Sequence, residues 1–352
     1  MKKRAPTGPD RRPWWRRPAY RAVWKAQRAL GSRVCIDVGG DHRSSMYVVG
    51  SSRSGTTWIA EFLNYRNEYR YLFEPLTEGV LPELRAFRRG QYLRPGDAAA
   101  AYLDPFAAVL RGDVHNRFVD RFNRRVVARR RLVKDVYANL LLRWVHDNFP
   151  GMPIVYVLRH PCAVMTSRLA NSVRSDAGYA PHLQRFLEQD ALMADWLHPF
   201  EATLRDARTV LDQQVLWWCV ENFVPLRQFA AGELHVALYE DLVTKPHDEI
   251  PRLGAYLGRE FHPSVYQRMR RVSLTSGRFS PMHREGSAVA SWQRSWSDDE
   301  VRRVMQLLSV FGLDALYTDE PMPRPHAIAE LMSRGPVRPD PARASRVTAA
   351  AP

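Results

Sequence analysis

Residues Met46 to Trp58 read MYVVGSSRSGTTW: a β-branched apolar run, a loop of Gly, Ser and Arg, and a helix start. No other stretch limits the possible folds as strongly. A buried strand feeding a glycine-bearing turn into a helix belongs to α/β architecture, and the first amides of that helix have no intrahelical partner. Gly50 and Gly55 let the backbone turn sharply, while the helix start offers N–H donors and the positive end of its dipole to an anion. The spacing Gly50-x-x-x-x-Gly55-Thr56-Thr57 follows the nucleotide-binding template G-x-x-x-x-G-K-[ST], except that Thr56 replaces the lysine and a cation stands earlier, at Arg53. An ATP-hydrolysing loop uses that lysine on the β- and γ-phosphates and completes a magnesium site with a carboxylate from a second strand. Here Arg53 supplies a forked donor, and Ser54, Thr56 and Thr57 add hydroxyls. The stretch reads as a phosphate cradle that lacks the ATP-hydrolysing lysine. The plain alternative is a glycine-rich turn with incidental hydroxyls.

A second anion site is expected downstream. Ile154 to Leu169, IVYVLRHPCAVMTSRL, begins as an apolar run suited to a buried parallel strand and continues as a helical pattern, with Pro161 where a helix can begin. Arg159 closes the strand and Ser167 follows eight residues later, about two turns into the helix. Ligands of open α/β sheets bind at strand ends, so both side chains can converge on one anion.

The two segments together resemble the cofactor site of sulfotransferases that use 3′-phosphoadenosine 5′-phosphosulfate, PAPS, in the carbohydrate-type and bacterial branch. SSRSGTTW is similar to that family's 5′-phosphosulfate loop, [K/R]-[S/T]-G-[S/T]-[S/T]. Arg159 and Ser167 match the Arg and Ser that hold the 3′-phosphate, although Ala163 stands where many cytosolic members have Asp. The resemblance implies PAPS as co-substrate, PAP as product and no metal, with Arg53, Ser54, Gly55, Thr56, Thr57, Arg159 and Ser167 holding the cofactor. It also implies an α/β, P-loop-like three-layer fold with a central, mostly parallel sheet flanked by helices.

Sulfuryl transfer needs a group that takes the acceptor's proton, and a carboxylate is ionised at neutral pH without help. In EYRYLFEPL, Glu74 precedes Pro75 and so ends an extended segment. FEP resembles the YEP of GlcNAc 6-O-sulfotransferases, which makes Glu74 the first choice of base. His115 and His146 are the runners-up, while His160 is poorly suited because it neighbours Arg159. Lys134, in RLVKDVY, resembles a strand-end catalytic lysine of the family. Its other reading is a solvated lysine near six arginines between Arg121 and Arg131. Farther on, Arg284 in HREGSAVASW resembles the late loop that contacts the 3′-phosphate, and YEDL at Tyr239 to Leu242 reads as structural.

Strand patterns at Met46 to Gly50, Arg131 to Val136, Ile154 to Leu158 and Leu234 to Tyr239 alternate with helical stretches at Ala138 to Asn148 and Leu211 to Arg227. Trp217, Trp218 and Phe223 are expected in the core. Residues 46–320 are expected to form the catalytic domain, with 1–45 a basic N-terminal extension and 321–352 a disordered Pro/Ala/Arg tail. Cys35, Cys162 and Cys219 give no metal spacing, and a reducing cytoplasm is the expected setting. No run is long enough to span a bilayer, and the basic, Trp-containing N-terminus can touch an anionic membrane. The expected partner is a small-molecule, glycan or lipid acceptor, with no specific nucleic acid. The net charge of +15 fits a multiply charged cofactor and equally a non-catalytic polyanion binder. A P-loop phosphotransferase or NTPase is the other alternative.

Overall fold

The computed structural model describes residues 34–172, 182–271, 273–275 and 289–333, with positions 23, 26–27 and 29–32 ahead of them. Seven strands occur among them: β1 (Ile36–Asp37), β2 (Ser45–Gly50), β3 (Arg70–Phe73), β4 (Val127–Ala128), β5 (Arg131–Asp135), β6 (Ile154–Leu158) and β7 (His235–Leu238). Five of these form one sheet in the order β3-β5-β2-β6-β7, and every neighbouring pair runs parallel. The strand patterns read from the sequence fall on β2, β5, β6 and β7. The extended segment ahead of Glu74 emerges as the edge strand β3.

A parallel sheet is covered on both faces, so its strands are apolar throughout rather than alternating. Tyr47, Val49, Tyr156 and Leu158 pack on one side; Met46, Val48, Val155 and Val157 pack on the other. The helix Thr56–Leu63, which follows β2, is buried along its whole length on the second side. The helix Pro161–Ser172, which follows β6, packs on the first side through Cys162, Val164 and Met165. Adjacent strands thus send their helices to opposite faces, and this reversal opens a crevice at the carboxyl ends of β2 and β6. The long helix Val210–Gln228 starts at an N-cap where the Thr209 side chain accepts from the Asp212 amide. Its Trp217, Trp218 and Phe223 are buried in the core as expected.

Both sequence-drawn flanks hold ordered pieces. β1 pairs with β4 in parallel register, and Asp37 reaches two fully buried guanidinium groups: it lies 2.5 Å from Arg131 and 4.0 Å from Arg70. Within the stretch expected to lack structure, the helix His326–Ser333 buries Ala327, Leu331 and Met332. Three apolar contacts explain this order, because a segment that buries them offsets its ordering entropy. Among the described residues, no helix is long and apolar enough to cross a membrane.

Candidate functional site

The loop between β2 and the helix Thr56–Leu63 has to turn the chain within five residues, and its backbone records the strain. Gly55 sits at φ +98° as the helix N-cap, and a Cβ there would lie 2.6 Å from the Tyr239 ring. At Gly50 a Cβ would lie 2.4 Å from the Val157 carbonyl oxygen. Only three non-glycine residues among those described have positive φ, and they include Arg53 at +76° and Glu74 at +47°. Such conformations each cost on the order of 1–3 kcal/mol and gather at functional sites. The loop is held from below by side chains of the core. Asn222 donates to the Ser51 hydroxyl at 3.1 Å, and buried Arg168 donates to the Ser52 carbonyl at 3.3 Å while pairing with Glu221.

Arg159 ends its strand one strand away from this loop and ties into it. Its Nη1 donates to the Arg53 carbonyl at 3.1 Å, and its guanidinium carbon lies 4.2 Å from the centre of the Tyr239 ring. Arg53 Nε in turn donates to the Ser167 hydroxyl at 2.9 Å. The sequence assigns Arg53 and Ser167 to separate anions, whereas the fold brings them into direct contact. Two polar atoms here are buried with no hydrogen-bond partner among the described residues: the Ser54 hydroxyl and Arg159 Nε. Ser54 is buried in the loop, Thr56 and Thr57 form the first helical turn, and Gly55 caps it.

Glu74 and Lys134 meet at the carboxyl ends of β3 and β5. Their strands pair with Phe73 opposite Lys134 and Lys134 opposite Val48. With strands about 4.8 Å apart, Glu74 stands about 10 Å from the loop's own strand, with Lys134 between, and Arg159 stands on the loop's other side. The Glu74 amide donates to the Lys134 carbonyl at 2.7 Å, and Lys134 Nζ bonds Glu74 Oε1. Lys134 is only 2 % exposed, so it is no solvated surface lysine. Burial pushes its pKa down, and the Glu74 carboxylate pulls it back up. Glu74 Oε2 accepts no hydrogen bond from any described residue. The neighbouring Asp135 accepts from the amides of Leu76, Val136 and Tyr137, which pins the turn after Glu74. Burial raises its pKa to about 7 against those amide bonds.

The histidine candidates fall away. His115 lies 3.3 Å from Arg70, at the amino end of β3, and His146 packs edge-on against Phe229, just ahead of β7; both are at the opposite edge of the sheet. His160 is buried against Trp292 and bonds the Thr318 carbonyl, and burial lowers its pKa to about 4. Arg284 and Gly286 lie outside the described residues. The sequence missed Asp135, Arg168 and Asn222, and it read Tyr239 and Glu240 only as scaffold. Their signal was present in part, since YEDL directly follows β7, one strand from Arg159.

Glu240 is 1 % exposed and accepts from the His160 amide at 2.8 Å and the Tyr317 hydroxyl at 3.2 Å. It therefore fixes the backbone next to Arg159. Burial raises its pKa to about 7, against the pull of the His160 amide and the Arg159 charge. A carboxyl whose pKa is raised by folding binds its proton more tightly in the folded chain between about pH 4 and 7, so the stability it contributes at low pH is lost as pH rises through 7. Glu240→Gln keeps an acceptor and cannot ionise. Urea unfolding from pH 5 to pH 8 is expected to show this variant gaining on the parent protein by up to about 3 kcal/mol. A difference that stays flat across that window would mean the carboxyl does not titrate there.

A family described as the sulfotransferase family matches residues 46–263, more than half of the chain. No curated protein matches its sequence. Among solved structures, the sulfotransferase domain from the curacin biosynthetic pathway is 16% identical with a TM-score of 0.39, covering 79% of this chain and 98% of that one. Mouse sulfotransferase SULT7A1 complexed with PAP is 14% identical with a TM-score of 0.38, covering 82% and 88%. Sulfotransferase STF9 from Mycobacterium avium is 13% identical with a TM-score of 0.41, covering 80% and 79%. None of these structural likenesses is tight enough to bear on the site.

Proposed function

The chain belongs to the sulfotransferase family, and we propose that it transfers a sulfuryl group from PAPS to a hydroxyl or amine of a carbohydrate, lipid or other small-molecule acceptor, releasing PAP. The observation that carries this reading is the pair of buried, unpartnered polar atoms, one at each expected anchor: the Ser54 hydroxyl in the loop and Arg159 Nε at the end of β6. A buried donor without a partner costs about 1–3 kcal/mol, and an anion relieves it. Two such donors fit a cofactor with phosphate at both its 5′ and 3′ positions. The loop's positive charge comes from Arg53 rather than a lysine aimed at a triphosphate, which favours this cofactor over ATP.

In this scheme Arg53, Ser54, Thr56, Thr57 and the first helical amides hold the 5′-phosphosulfate end. Arg159 and Ser167 hold the 3′-phosphate, and Arg284 is assigned there from the resemblance. PAPS supplies an activated sulfuryl group whose leaving group is the phosphate of PAP. The protein orients the acceptor against it, takes a proton and neutralises charge. Glu74 accepts the acceptor's proton, through the Oε2 atom that no described residue engages. Lys134, buried beside Glu74, presents a cation to charge that builds up between the loop and β3. The scheme requires no metal.

Calorimetry with PAP, ATP and AMP tests it. PAP is expected to bind in the micromolar range without magnesium, and Arg159→Ala is expected to weaken it by about tenfold or more, the scale of one charge-assisted contact. A preference for ATP with magnesium would instead establish a phosphotransferase site. Binding of long polyanions with no response to PAP would establish a non-catalytic role.

A further inference from the structure

β3 ends one residue before Glu74, and the strand register shows what the chain gives up there. Phe73 pairs with Lys134, so a longer β3 would set Glu74 opposite Asp135, the last residue of β5. Instead Glu74 takes φ +47°. Its amide donates to the Lys134 carbonyl at 2.7 Å and its carbonyl accepts from the Thr77 amide at 3.1 Å, so the chain leaves the sheet through the turn Glu74-Pro75-Leu76-Thr77. A glutamate lacks the short polar side chain that lets Asn or Asp settle in the left-handed region, so its surroundings have to hold it there. Pro75 fixes one φ of the turn but has no N–H to anchor it.

The fully buried Asp135 side chain divides its two oxygens between two segments. Oδ1 accepts from the Val136 and Tyr137 amides at 2.8 and 2.9 Å, which shapes the exit of β5. Oδ2 accepts from the Leu76 amide at 3.0 Å, across the gap where the backbone ladder has ended. The Lys134 carbonyl thus holds the turn at Glu74 itself, and Asp135 holds it two residues farther on. Asp135 also stands opposite Val49 of β2, the strand that enters the phosphate loop. We propose that Asp135 is a positioning residue for proton transfer, whose side chain holds the turn that aims Glu74 into the space between β3 and the phosphate loop. The proposal rests on the reading of Glu74 as the base. All three groups hydrogen-bonded to Asp135 are N–H donors, which suits a carboxylate. An amide side chain has a single acceptor oxygen and would turn its own NH2 toward one of them. Misplacing a reacting group by about 1 Å costs up to about 10²-fold in rate, so the hold matters to turnover and not to cofactor affinity.

Two variants of the full-length protein release Leu76 while keeping the local turn of β5. Asp135→Asn leaves one oxygen for the Val136 and Tyr137 amides; the shorter hydroxyl of Asp135→Ser still accepts from the Tyr137 amide but does not reach Leu76. If one of them does not melt cooperatively, the other carries the comparison. Hydrogen exchange of the peptide from Phe73 to Glu78 is expected to speed up by about tenfold or more, while the amides of β6 keep the parent's rates. Sulfate transfer from labelled PAPS is read with p-nitrophenol, N-acetylglucosamine, glucosamine, cholesterol and water as acceptors. Turnover is expected to fall by about tenfold or more, with the acceptor KM and PAP affinity within about twofold of the parent. Adding Asp135→Asn to Glu74→Gln is expected to cost less than about twofold further, because no base remains to be aimed. A general structural defect would lower turnover on both backgrounds alike, and that result overturns the proposal. So does parental turnover or parental exchange at Leu76 in the Asp135 variants while Glu74→Gln is impaired, a result that leaves Glu74 as the base. Normal turnover by Glu74→Gln, or no transfer by the parent to any acceptor, overturns the underlying reading and this proposal with it.

Discussion

Glu74→Gln is expected to lower turnover by about 10²-fold or more while leaving PAP affinity unchanged, the scale of a positioned acid–base group. The substitution keeps the shape of the side chain and its hydrogen bond to Lys134, so the strained turn at φ +47° and the Asp135 bonds beneath it survive. What is lost is the negative charge that takes a proton. Lys134→Met is expected to reduce turnover as well, because the same cluster then loses its cation and leaves Glu74 half-buried without its partner. Sulfate transfer from labelled PAPS across a panel of acceptors, with PAP titration on the same samples, separates chemistry from binding. Near-normal turnover by Glu74→Gln would remove Glu74 from the role of base. Loss of PAP binding by the same variant would make it a structural residue of the cofactor site.

Asp37→Ala is expected to destabilise the fold by about 3–5 kcal/mol, the range for removing one partner of a buried ion pair. Asp37 lies 2.5 Å from Arg131, whose side chain is fully buried, and 4.0 Å from equally buried Arg70. Arg70 retains Asp120 at 3.0 Å, but Arg131 is left with only the Ser45 hydroxyl and the Asp41 carbonyl. Its guanidinium cannot shed its proton, so the uncompensated charge must be hydrated by opening β1 away from β4. Urea unfolding of the variant measures the loss. Asp37→Leu combined with Arg131→Met removes both charges and is expected to recover part of it, since the penalty comes mainly from the unpaired charge. A loss below about 1 kcal/mol for Asp37→Ala would show that the segment ahead of β2 is only loosely attached. The family match begins at residue 46, so this experiment also tells whether the domain physically begins earlier.

Features carried within one strand-turn-helix unit were legible from the order of residues. The loop from Gly50 to Thr57 and the pair Arg159 and Ser167 each depend on local spacing, and 3.6 residues per turn converts that spacing into geometry. The sheet itself was legible for the same reason, because β2, β5, β6 and β7 are apolar runs of strand length. β3 was harder, since its RYLF is short and carries a buried arginine. At the flanks a few apolar or ionic contacts add to what composition shows: Asp37 holds one side, and Ala327, Leu331 and Met332 hold the other.

Sequence by itself determined the two strand-turn-helix units at the carboxyl edge of a parallel sheet where the anion sites are proposed, because each unit is written within about twenty contiguous residues. It left the base open between Glu74 and a histidine, and Lys134 with two readings, active-site cation or solvated lysine. Tertiary structure decided that Glu74 and Lys134 touch, that Lys134 is buried, and that Arg53, Ser167 and Arg159 form one connected group rather than two. Those contacts join positions 60 to 114 residues apart. They exist only because strand order places β3 beside β5 and β2 beside β6, and strand order is set by how the helices cover the two apolar faces, which no local spacing encodes.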